Sequence, residues 1–440
     1  MTRKQAGALS ESSPEGHLIL DALRCRFDLT ARQRLAEGVA RGVDWPLVLE
    51  ESRRRGLLPF VAEALRKHDL LGYVPKDLRT ALEGYLCNLA AFSLLGRQVL
   101  EQVEEALAGR PHLMLRGPML GEYLYGPDVP RPFSDLDVAV DCSDTEGIWT
   151  VAQALSNGRP FRTKWVTSRE LDEYVLLSSA ELTVEEAEEL ASQAFLAEVQ
   201  IQVTPQVGVE LKPYLSRYYQ SAGDLEVSWP ERVQVTWLGL QAGIPPAEIL
   251  VAHLADHAAY HPSARHRLLP LVDIDALIRK QASFDWDACA ERARQIGAQL
   301  PLLIALGTCR RVLATSVPED LEGKLDLPRR QRRIGETVSR ADVFTTGTGP
   351  VTPYAPLLEL LRQPRRIPAL RPGLQVRKLT RALFPSRAFV RWQYGTGPGA
   401  GRLVFGYLEH WRRQPQRALG RWWLPPRARL FEPPPASRNT

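Results

Sequence analysis

The sequence has no long apolar run. No stretch of about 18 consecutive hydrophobic residues occurs among its 440 residues, so no membrane-spanning helix is expected. The N-terminal stretch MTRKQAGALSESSPEG also contains no apolar segment of the kind found in secretory signal peptides. Together these two absences predict a cytoplasmic protein.

Cysteine is scarce and scattered. The five cysteines are Cys25, Cys87, Cys142, Cys289 and Cys309, and no two of them form a Cys-x-x-Cys pair. An odd number at wide spacing argues against a disulfide framework and against a zinc ribbon. We therefore expect buried free thiols in a reducing compartment.

Acidic residues are rare in the last quarter of the chain. Residues 331–440 contain 20 Lys and Arg but 5 Asp and Glu, whereas residues 1–330 contain 36 and 46. The net charge of +5 therefore combines an acidic body with a basic tail. The segment EHWRRQPQRALGRWWLPPRARL interleaves Arg with Trp, which is compatible with contact to a polyanion or a membrane surface, and also with a solvated tail.

The spacing of apolar residues divides the chain into five segments. Residues 1–16 are expected to be a disordered leader, and residues 17–110 a helical region with apolar residues three and four apart. Residues 111–215 contain the short apolar and alternating runs that are typical of strands. Residues 216–320 return to helical spacing, and residues 321–440 form the basic tail rich in Pro, Gly and Arg. The predicted fold class is α+β, a small mixed-sheet core flanked by helical segments.

Two acidic residues stand out in the alternating run DLDVAVD. Side chains alternate along a strand, so Asp135 and Asp137 are expected to face one side, and Leu136 and Val138 the other. Two close carboxylates repel each other unless a cation lies between them, and hard oxygen ligands favour Mg²⁺ or Mn²⁺. A solvated edge strand would show the same short motif, so the motif alone leaves both interpretations open.

The neighbouring sequence strengthens the metal interpretation. The apolar run HLMLRG predicts a strand, and Gly117 begins a short helix whose N-terminus suits a phosphate, with Arg116 as an added cation. Glu210 alternates with Val209 and Leu211 and so offers a third carboxylate from a second strand. Three carboxylates, a metal and a phosphate-binding turn form a phosphoryl-transfer centre.

A resemblance to a known family makes this interpretation specific. The segment LMLRGPMLGEYLYGPDVPRPFSDLDVAV resembles the uncharacterised nucleotidyltransferase family of the polymerase-beta-like superfamily, whose pattern reads approximately hhhKGxAhxxxhYxxxxxRxhxDhDhhV. VGVELKPYL resembles the later family strand in which an acidic residue is followed by a basic one. Helical segments up to residue 315 resemble the family's C-terminal helices, so the resemblance covers roughly residues 17–315.

The resemblance implies a role for each candidate residue. Asp135 and Asp137 are the implied metal pair and Glu210 is the third acid, and all three are the implied catalytic residues. Arg116, Gly117 and Ser134 are assigned to the nucleotide. Two departures matter, because the family usually has Lys at the position of Arg116, and Pro118, which has no N–H, follows Gly117.

The implied reaction is the transfer of a nucleotidyl group from an NTP, with ATP the expected donor, to an unknown acceptor. The acceptor is a small molecule or a protein, and Mg²⁺ or Mn²⁺ is the implied cofactor. The acid nearest the acceptor would help to deprotonate its nucleophile. One alternative is a non-catalytic nucleotide-binding or scaffold protein that retains the fold. Another is a metal-dependent glycosyltransferase, although such enzymes usually place Asp-x-Asp after a longer nucleotide-binding α/β region.

Two further patterns are weaker. His253, His257 and His261 recur every four residues on an expected helix, which suits zinc but is equally explained by a polar stripe. Asp273 and Asp275 form a second Asp-x-Asp, but the run LVDIDALIRK has helical spacing. Residues two apart on a helix do not face each other, so a structural role is expected for this second pair.

Overall fold

The computed structural model describes most of the chain up to residue 344 and several short segments beyond it. The described residues are 9–340, 342–344, 384–385, 387, 389–390 and 403–412, except for 108, 128, 141–144, 169–172, 182–185, 187–189, 191–194, 214–228 and 261–263. Helices lie before and after a six-stranded mixed sheet, which confirms the predicted α+β class. None of the described helices combines the length and the apolar character that a membrane crossing requires.

Five helices form the N-terminal region. They are α1 (Pro14–Arg24), α2 (Leu29–Arg41), α3 (Trp45–Arg54), α4 (Leu58–Lys67) and the long α5 (Lys76–Leu107). The first three begin at side-chain caps, in which Ser13, Asp28 and Asp44 accept hydrogen bonds from backbone N–H groups of the following turn. Pro14 suits the first turn of α1 because that position needs no N–H donor. Helix α1 therefore begins inside the segment that was expected to be a leader.

The central sheet carries the predicted mixed core. Its strands are β1 (His112–Met114), β2 (Asp135–Val140), β3 (Arg162–Ser168), β4 (Glu173–Ser178), β5 (Phe195–Gln202) and β6 (Gly208–Lys212), in the order β1-β2-β6-β5-β3-β4. Strands β2 and β6 are parallel, and the other neighbours are antiparallel. Strands β5 and β6 form a hairpin whose connection contains Thr204, Pro205 and Gln206. Helices α6 (Pro118–Tyr125) and α7 (Thr145–Ser156) lie before and after β2 in the chain.

The two faces of β2 and β6 differ in chemistry. Leu136 pairs with Val209 and Val138 with Leu211, and all four side chains are buried in the main hydrophobic core. Residues that pair across neighbouring strands point to the same face, and that face alternates with every residue. The opposite face of these strands therefore carries the charged residues between these apolar pairs.

A two-stranded hairpin and six helices follow the central sheet in the described part of the body. The hairpin is β7 (Val233–Trp237) with β8 (Leu240–Ile244), and the helices are α8 (Ala247–Tyr260), α9 (Ala264–Lys280), α10 (Trp286–Gln295), α11 (Gln299–Leu313), α12 (Leu321–Lys324) and α13 (Arg329–Ser339). The hairpin lies in a region that was expected to be helical. Its turn residues Leu238 and Gly239 both have positive φ, at 48° and 84°, which is the backbone of a tight hairpin turn.

A small second core places α8 beside the charged face of the sheet. Leu113 pairs with Ala139 in the antiparallel β1–β2 ladder, and both lie on the same face as Asp137. They form a buried cluster with Leu115 and with Ile249 of α8. Ile249 thereby anchors the N-terminal part of α8 over this face, and later turns of the helix extend from that anchor.

The packed body extends past both of its expected limits. Leu325 and Phe344 are buried in the main core, although both belong to the expected tail. The buried guanidinium of Arg55 donates to the carbonyl of Phe344 at 2.9 Å and lies 5.0 Å from the centre of its ring. The Val343 N–H donates to the Glu11 carboxylate at 2.7 Å, so the beginning of the body is joined to residues beyond 340.

The cysteines that the structure describes are free thiols. Cys25, Cys289 and Cys309 are buried, as predicted, whereas Cys87 on α5 is exposed. Burial raises the pKa of Cys25 to about 11, so this thiol stays protonated and unreactive near neutral pH. Cys142 lies outside the described residues.

Candidate active site

The parallel pairing of β2 with β6 brings the three predicted acids to one face. Asp137 pairs directly with Glu210, and Asp135 lies two residues earlier, opposite Gly208. All three carboxylates therefore project from the face of the sheet that carries α8 rather than the main core. Asp137 is fully buried, whereas Asp135 and Glu210 are partly exposed.

Lys212 joins this group, although the sequence analysis did not select it. It follows Glu210 by two residues on β6 and therefore has the same orientation. Its ammonium donates a short hydrogen bond to Asp137 Oδ1 and lies 2.9 Å from Glu210 Oε2. One cation thus contacts two of the three predicted metal ligands. The parity rule that selected Glu210 would also have found Lys212.

Arg116 approaches Asp137 from the end of β1. Its Nη2 donates to Asp137 Oδ1 at 2.6 Å, so this one oxygen accepts from both cations. Its Nη1 contacts the imidazole ring of His257, whose Nδ1 lies 2.8 Å away. Because a guanidinium can only donate, the ring nitrogen accepts. His257 thus connects α8 to the turn that was predicted to hold phosphate.

The electrostatic environment keeps Asp137 ionised. Burial alone would raise the pKa of this carboxyl, but the positive charges of Arg116 and Lys212 hold it well below its usual range. The same environment acts on the two cations. Although burial opposes it, the Asp137 carboxylate raises the pKa of Arg116 and of Lys212, so both remain charged. Asp137, Arg116 and Lys212 therefore form a charged triplet in which the carboxylate is buried and the two cations are largely buried.

The other two acids are less well compensated. Burial and the neighbouring Asp137 carboxylate raise the pKa of Asp135, which makes no hydrogen bond or ion pair with another described residue. The pKa of Glu210 is raised to about 8, because burial and the negative charges of Glu198, Asp137 and Asp135 outweigh the contact with Lys212. Negative charge is therefore in excess at this end of the site.

The excess of negative charge around Glu210 predicts that the stability of the protein depends on pH. The Glu210→Gln variant, which lacks the titrating carboxyl, is expected to lose this dependence. A carboxyl whose pKa is higher in the folded chain than in the unfolded chain binds its proton more tightly when folded. Its contribution to the free energy of unfolding is fully present below the unfolded pKa of about 4.3 and decreases as the pH rises. The loss runs up to the folded pKa of about 8. The free energy of unfolding of the wild type, relative to Glu210→Gln, is therefore expected to fall by up to roughly 5 kcal/mol over this range, since one pKa unit corresponds to about 1.4 kcal/mol.

Urea unfolding of metal-free protein at a series of pH values measures this difference. Glu83→Gln is the matched control, because Glu83 is exposed on α5. Its difference from wild type is expected to stay constant over the same pH range. A constant difference for Glu210→Gln as well would show that the Glu210 carboxyl titrates normally.

The turn before α6 passes close to β2. Gly117 has a φ of +85°, a left-handed conformation that favours glycine, and an added Cβ would lie 3.4 Å from the carbonyl oxygen of Asp135. It occupies the N-cap of α6 without a side-chain cap, and Pro118 occupies the first turn. Ser134 is exposed immediately before Asp135. Arg116, Gly117 and Ser134 therefore lie around the exposed end of the carboxylate group.

The three carboxylates of the site are the kind of ligand that a hard divalent cation prefers. Asp135, Asp137 and Glu210 offer only carboxylate oxygens, and the raised pKa values of Asp135 and Glu210 reflect negative charge that a cation would compensate. Lys212 contacts two of these ligands and so competes for them. In the part of the chain that the structure describes, no three His, Cys, Asp or Glu side chains are arranged to hold a metal ion.

The second Asp-x-Asp has the expected structural role. Asp273 and Asp275 lie on α9 and bind different partners. Asp273 is buried and accepts a bidentate hydrogen bond from Arg131, while Asp275 accepts from Arg279 and from the Thr315 hydroxyl. Arg131 lies in the loop before β2, where the family pattern also has an Arg.

The histidine series is divided between described and undescribed residues. His253 and His257 both lie on α8, and His257 contacts Arg116. His261 lies outside the described residues. His257 therefore belongs to the charged site, and the zinc interpretation gains no support from the residues described.

Comparison with known protein families identifies a match. Residues 41–314, well over half of the chain, match the family described as an uncharacterised nucleotidyltransferase. The matched range includes all of the residues of the charged site. No significant similarity to a curated protein or to a solved structure was found.

Proposed function

The chain belongs to the uncharacterised nucleotidyltransferase family, and on that premise we propose that it transfers a nucleotidyl group from an NTP to an acceptor with the help of Mg²⁺. The observation that carries this proposal is the convergence of three acids and two largely buried cations, Arg116 and Lys212, at one face of β2 and β6. Such a mixed group suits a ligand that brings both a divalent cation and phosphate oxygens. ATP is the donor we expect.

Asp135, Asp137 and Glu210 are the residues that would hold the cation, after their carboxylates move from the present arrangement, in which no three such side chains of the described residues are placed to hold a metal ion. When bound, Mg²⁺ would neutralise phosphate charge and leave the α-phosphate open to attack. Asp137 is already ionised and needs no proton loss to serve as a ligand. The acid that lies nearest the bound acceptor would help to deprotonate its nucleophile.

Arg116 and Lys212 are suited to bind the phosphates. Both are held in the site by Asp137, and both stay charged because of it. A guanidinium can donate two parallel hydrogen bonds to phosphate, whereas an ammonium acts as a compact point charge. The positive end of α6 adds backbone N–H groups, although Pro118 contributes none.

The direct test combines thermal shift with pyrophosphate release. Each of the four NTPs is added with Mg²⁺, with Mn²⁺ and with a chelator, and release is followed with a panel of small-molecule and protein acceptors. We expect one NTP to raise the melting temperature only when metal is present, since a ligand that binds the folded chain stabilises it. No shift with any NTP and either metal would contradict the proposal.

A non-catalytic nucleotide-binding protein is the second candidate. The observations in its favour are Pro118 at the phosphate turn and the contacts by which Lys212 and Arg116 already satisfy Asp137. It predicts a metal-dependent thermal shift without pyrophosphate release for any acceptor. The glycosyltransferase alternative gains no support from the family match.

Replacement of Lys212 tests its competition with the metal. Lys212→Met removes a positive charge that contacts Asp137 and Glu210, so the affinity of the nucleotide-free protein for Mn²⁺ is expected to rise about tenfold. The affinity for NTP is expected to fall, because a phosphate-binding charge is lost. Isothermal titration calorimetry with Mn²⁺ and then with NTP measures both. Lys324→Met, at a surface ion pair with Asp287, is the control and should change neither.

A further inference from the structure

The polar face of the central sheet continues beyond the carboxylate site. Glu210 of β6 pairs directly with Gln200 of β5, and Gln200 pairs with Arg162 of β3. Arg162 pairs in turn with Ser178 of β4, and Glu210 pairs with Asp137 of β2 on its other side. Because residues that pair across neighbouring strands share a face, these five side chains form one row across five strands. This polar row leads from the acids towards the edge of the sheet at β4.

Water reaches the polar row, whereas the opposite face of the same strands is packed. Arg162 is exposed, and Gln200 and Glu210 are half-buried. Thr163 and Val199, the neighbours of Arg162 and Gln200 in the chain, are fully buried on the other face. The row therefore borders the charged site with an accessible polar surface, on the side away from β1 and α8.

Arg162 supplies a positive charge that the protein does not compensate. It makes no hydrogen bond or ion pair with another described residue. Lys164, the next cation on the same face of β3, differs because it pairs directly with Glu198 of β5. A lone exposed arginine is ordinarily only solvated, but this one lies in register with the carboxylate site. Its guanidinium can donate two parallel hydrogen bonds to a carboxylate or a phosphate, and one such charge matches one anionic group rather than a polyanion.

Gln200 separates this cation from the acids. Its Nε2 donates a short hydrogen bond to Glu198, which holds the amide in place, and its oxygen remains able to accept from a hydroxyl. Arg162 lies two strands from Glu210, a backbone separation of about 10 Å. This separation is close to the Debye length at physiological salt, so an anion at Arg162 is largely screened from the acids.

The polar row lies opposite the groups that suit the donor phosphates. Arg116 and the N-terminus of α6 approach Asp137 from the side of β1, whereas the row runs from β6 in the other direction. Phosphoryl transfer places the attacking and leaving oxygens roughly in line, on opposite sides of the phosphorus. With the leaving pyrophosphate near Arg116, the acceptor approaches from the side of β5 and β3.

We propose that the polar row binds the acceptor, and that the acceptor is a small molecule with a hydroxyl or amine nucleophile at one end and a single anionic group, a carboxylate or a phosphate, that pairs with Arg162. This inference rests on the proposed nucleotidyl transfer and names its substrate class. The nucleophile forms a bond to the α-phosphorus while the bond to the bridging oxygen breaks. Pyrophosphate leaves with that electron pair, and the proton of the nucleophile passes to the carboxylate nearest to it.

Pyrophosphate release with matched pairs of acceptors tests this inference. Sugar phosphates are compared with the parent sugars, and hydroxy acids with the corresponding diols, in the presence of Mg²⁺ and the NTP that raises the melting temperature. Wild type is expected to use the anionic member of a pair at least about tenfold better in kcat/KM, because a hydrogen bond between charged groups contributes to binding. The two kinds of pair distinguish a phosphate from a carboxylate.

Substitution of Arg162 identifies the residue that binds the anionic group. Arg162→Gln is expected to raise KM for the anionic acceptor about tenfold or more, with little change in KM for the NTP, because only the acceptor contacts this side chain. Arg162→Lys keeps the charge and should restore part of the loss. Arg329→Gln is the matched control, since Arg329 is exposed on α13, and it should behave like wild type. All variants should keep the wild-type circular dichroism spectrum.

The outcomes separate this inference from the proposed function. Absence of a thermal shift with every NTP and metal overturns both. When an NTP does bind, three results overturn the inference alone: equal use of the neutral and anionic members, release with no anionic member or with protein acceptors only, and an unchanged KM for the acceptor in Arg162→Gln.

Discussion

Asp137→Asn is expected to abolish metal-dependent pyrophosphate release, with a loss of about 10³-fold or more in kcat/KM, or about 4 kcal/mol of transition-state stabilisation. The side chain keeps its volume but loses the negative charge that would bind the cation. That charge also holds Arg116 and Lys212 in the site. The variant should therefore lose both the metal and the arrangement of the phosphate-binding cations.

The same substitution is expected to destabilise the metal-free protein. Arg116 and Lys212 are largely buried, and both donate to Asp137 Oδ1. An asparagine oxygen can still accept, but the two charges lose their counter-ion, so the free energy of unfolding should fall by about 1–3 kcal/mol. Urea unfolding measures this fall, and Asp287→Asn at an exposed position is the control.

Asp135→Asn separates the two effects. Asp135 contacts no described residue by hydrogen bond or ion pair, and the neighbouring Asp137 carboxylate contributes to its raised pKa. Loss of its charge relieves repulsion, so this variant should be as stable as wild type or slightly more stable. Its pyrophosphate release should nevertheless fall as far as that of Asp137→Asn. Full activity in either variant would contradict the assignment of the two aspartates as ligands.

The parts of the site that were predictable from the sequence depend on local geometry. Because side chains alternate along a strand, Asp135 and Asp137 were expected on the same face of their strand, and Glu210 on the polar face of its own strand. The β5–β6 hairpin was predictable because its strands are adjacent in the sequence. The direct pairing of Asp137 with Glu210 was not predictable in this way, because it joins strands that are far apart in the chain and parallel.

Two kinds of feature were missed: contacts between residues far apart in the chain, and a strand whose alternating apolar residues were taken for part of a helical pattern. Nothing in the run HLADHAAYH indicates that His257 contacts Arg116, 141 residues earlier in the chain. The β7–β8 hairpin did leave a local signal, because Val233, Val235 and Trp237 alternate before the turn at Gly239. The helical spacing of the residues that follow this short segment led to a helical assignment for the whole region.

The largest effect on stability is expected at the buried ion pair of Arg131 with Asp273. Arg131 donates to both carboxylate oxygens of Asp273, from Nε to Oδ1 at 3.1 Å and from Nη2 to Oδ2 at 2.8 Å, and both side chains are buried. The Tyr125 hydroxyl donates to Asp273 Oδ1 at 2.7 Å. Burial and the Asp273 charge raise the pKa of Tyr125, so the phenol stays a neutral donor. This network joins α6 and the loop before β2 to α9.

Asp273→Leu is expected to lower the free energy of unfolding by about 3–5 kcal/mol, because it leaves the Arg131 charge buried without a partner and removes the acceptor for Tyr125. Combining it with Arg131→Met removes the stranded charge, so the double variant should recover part of this loss. Urea unfolding of both single variants and the double variant gives the coupling energy. A double variant that loses the sum of the two single losses would show that the residues act independently. Arg131 lies four residues before Asp135, so loss of its partner should disturb the metal site. The Asp273→Leu variant is therefore also expected to bind Mn²⁺ more weakly than wild type. If the ion pair has a purely local role, the Mn²⁺ affinity will be unchanged.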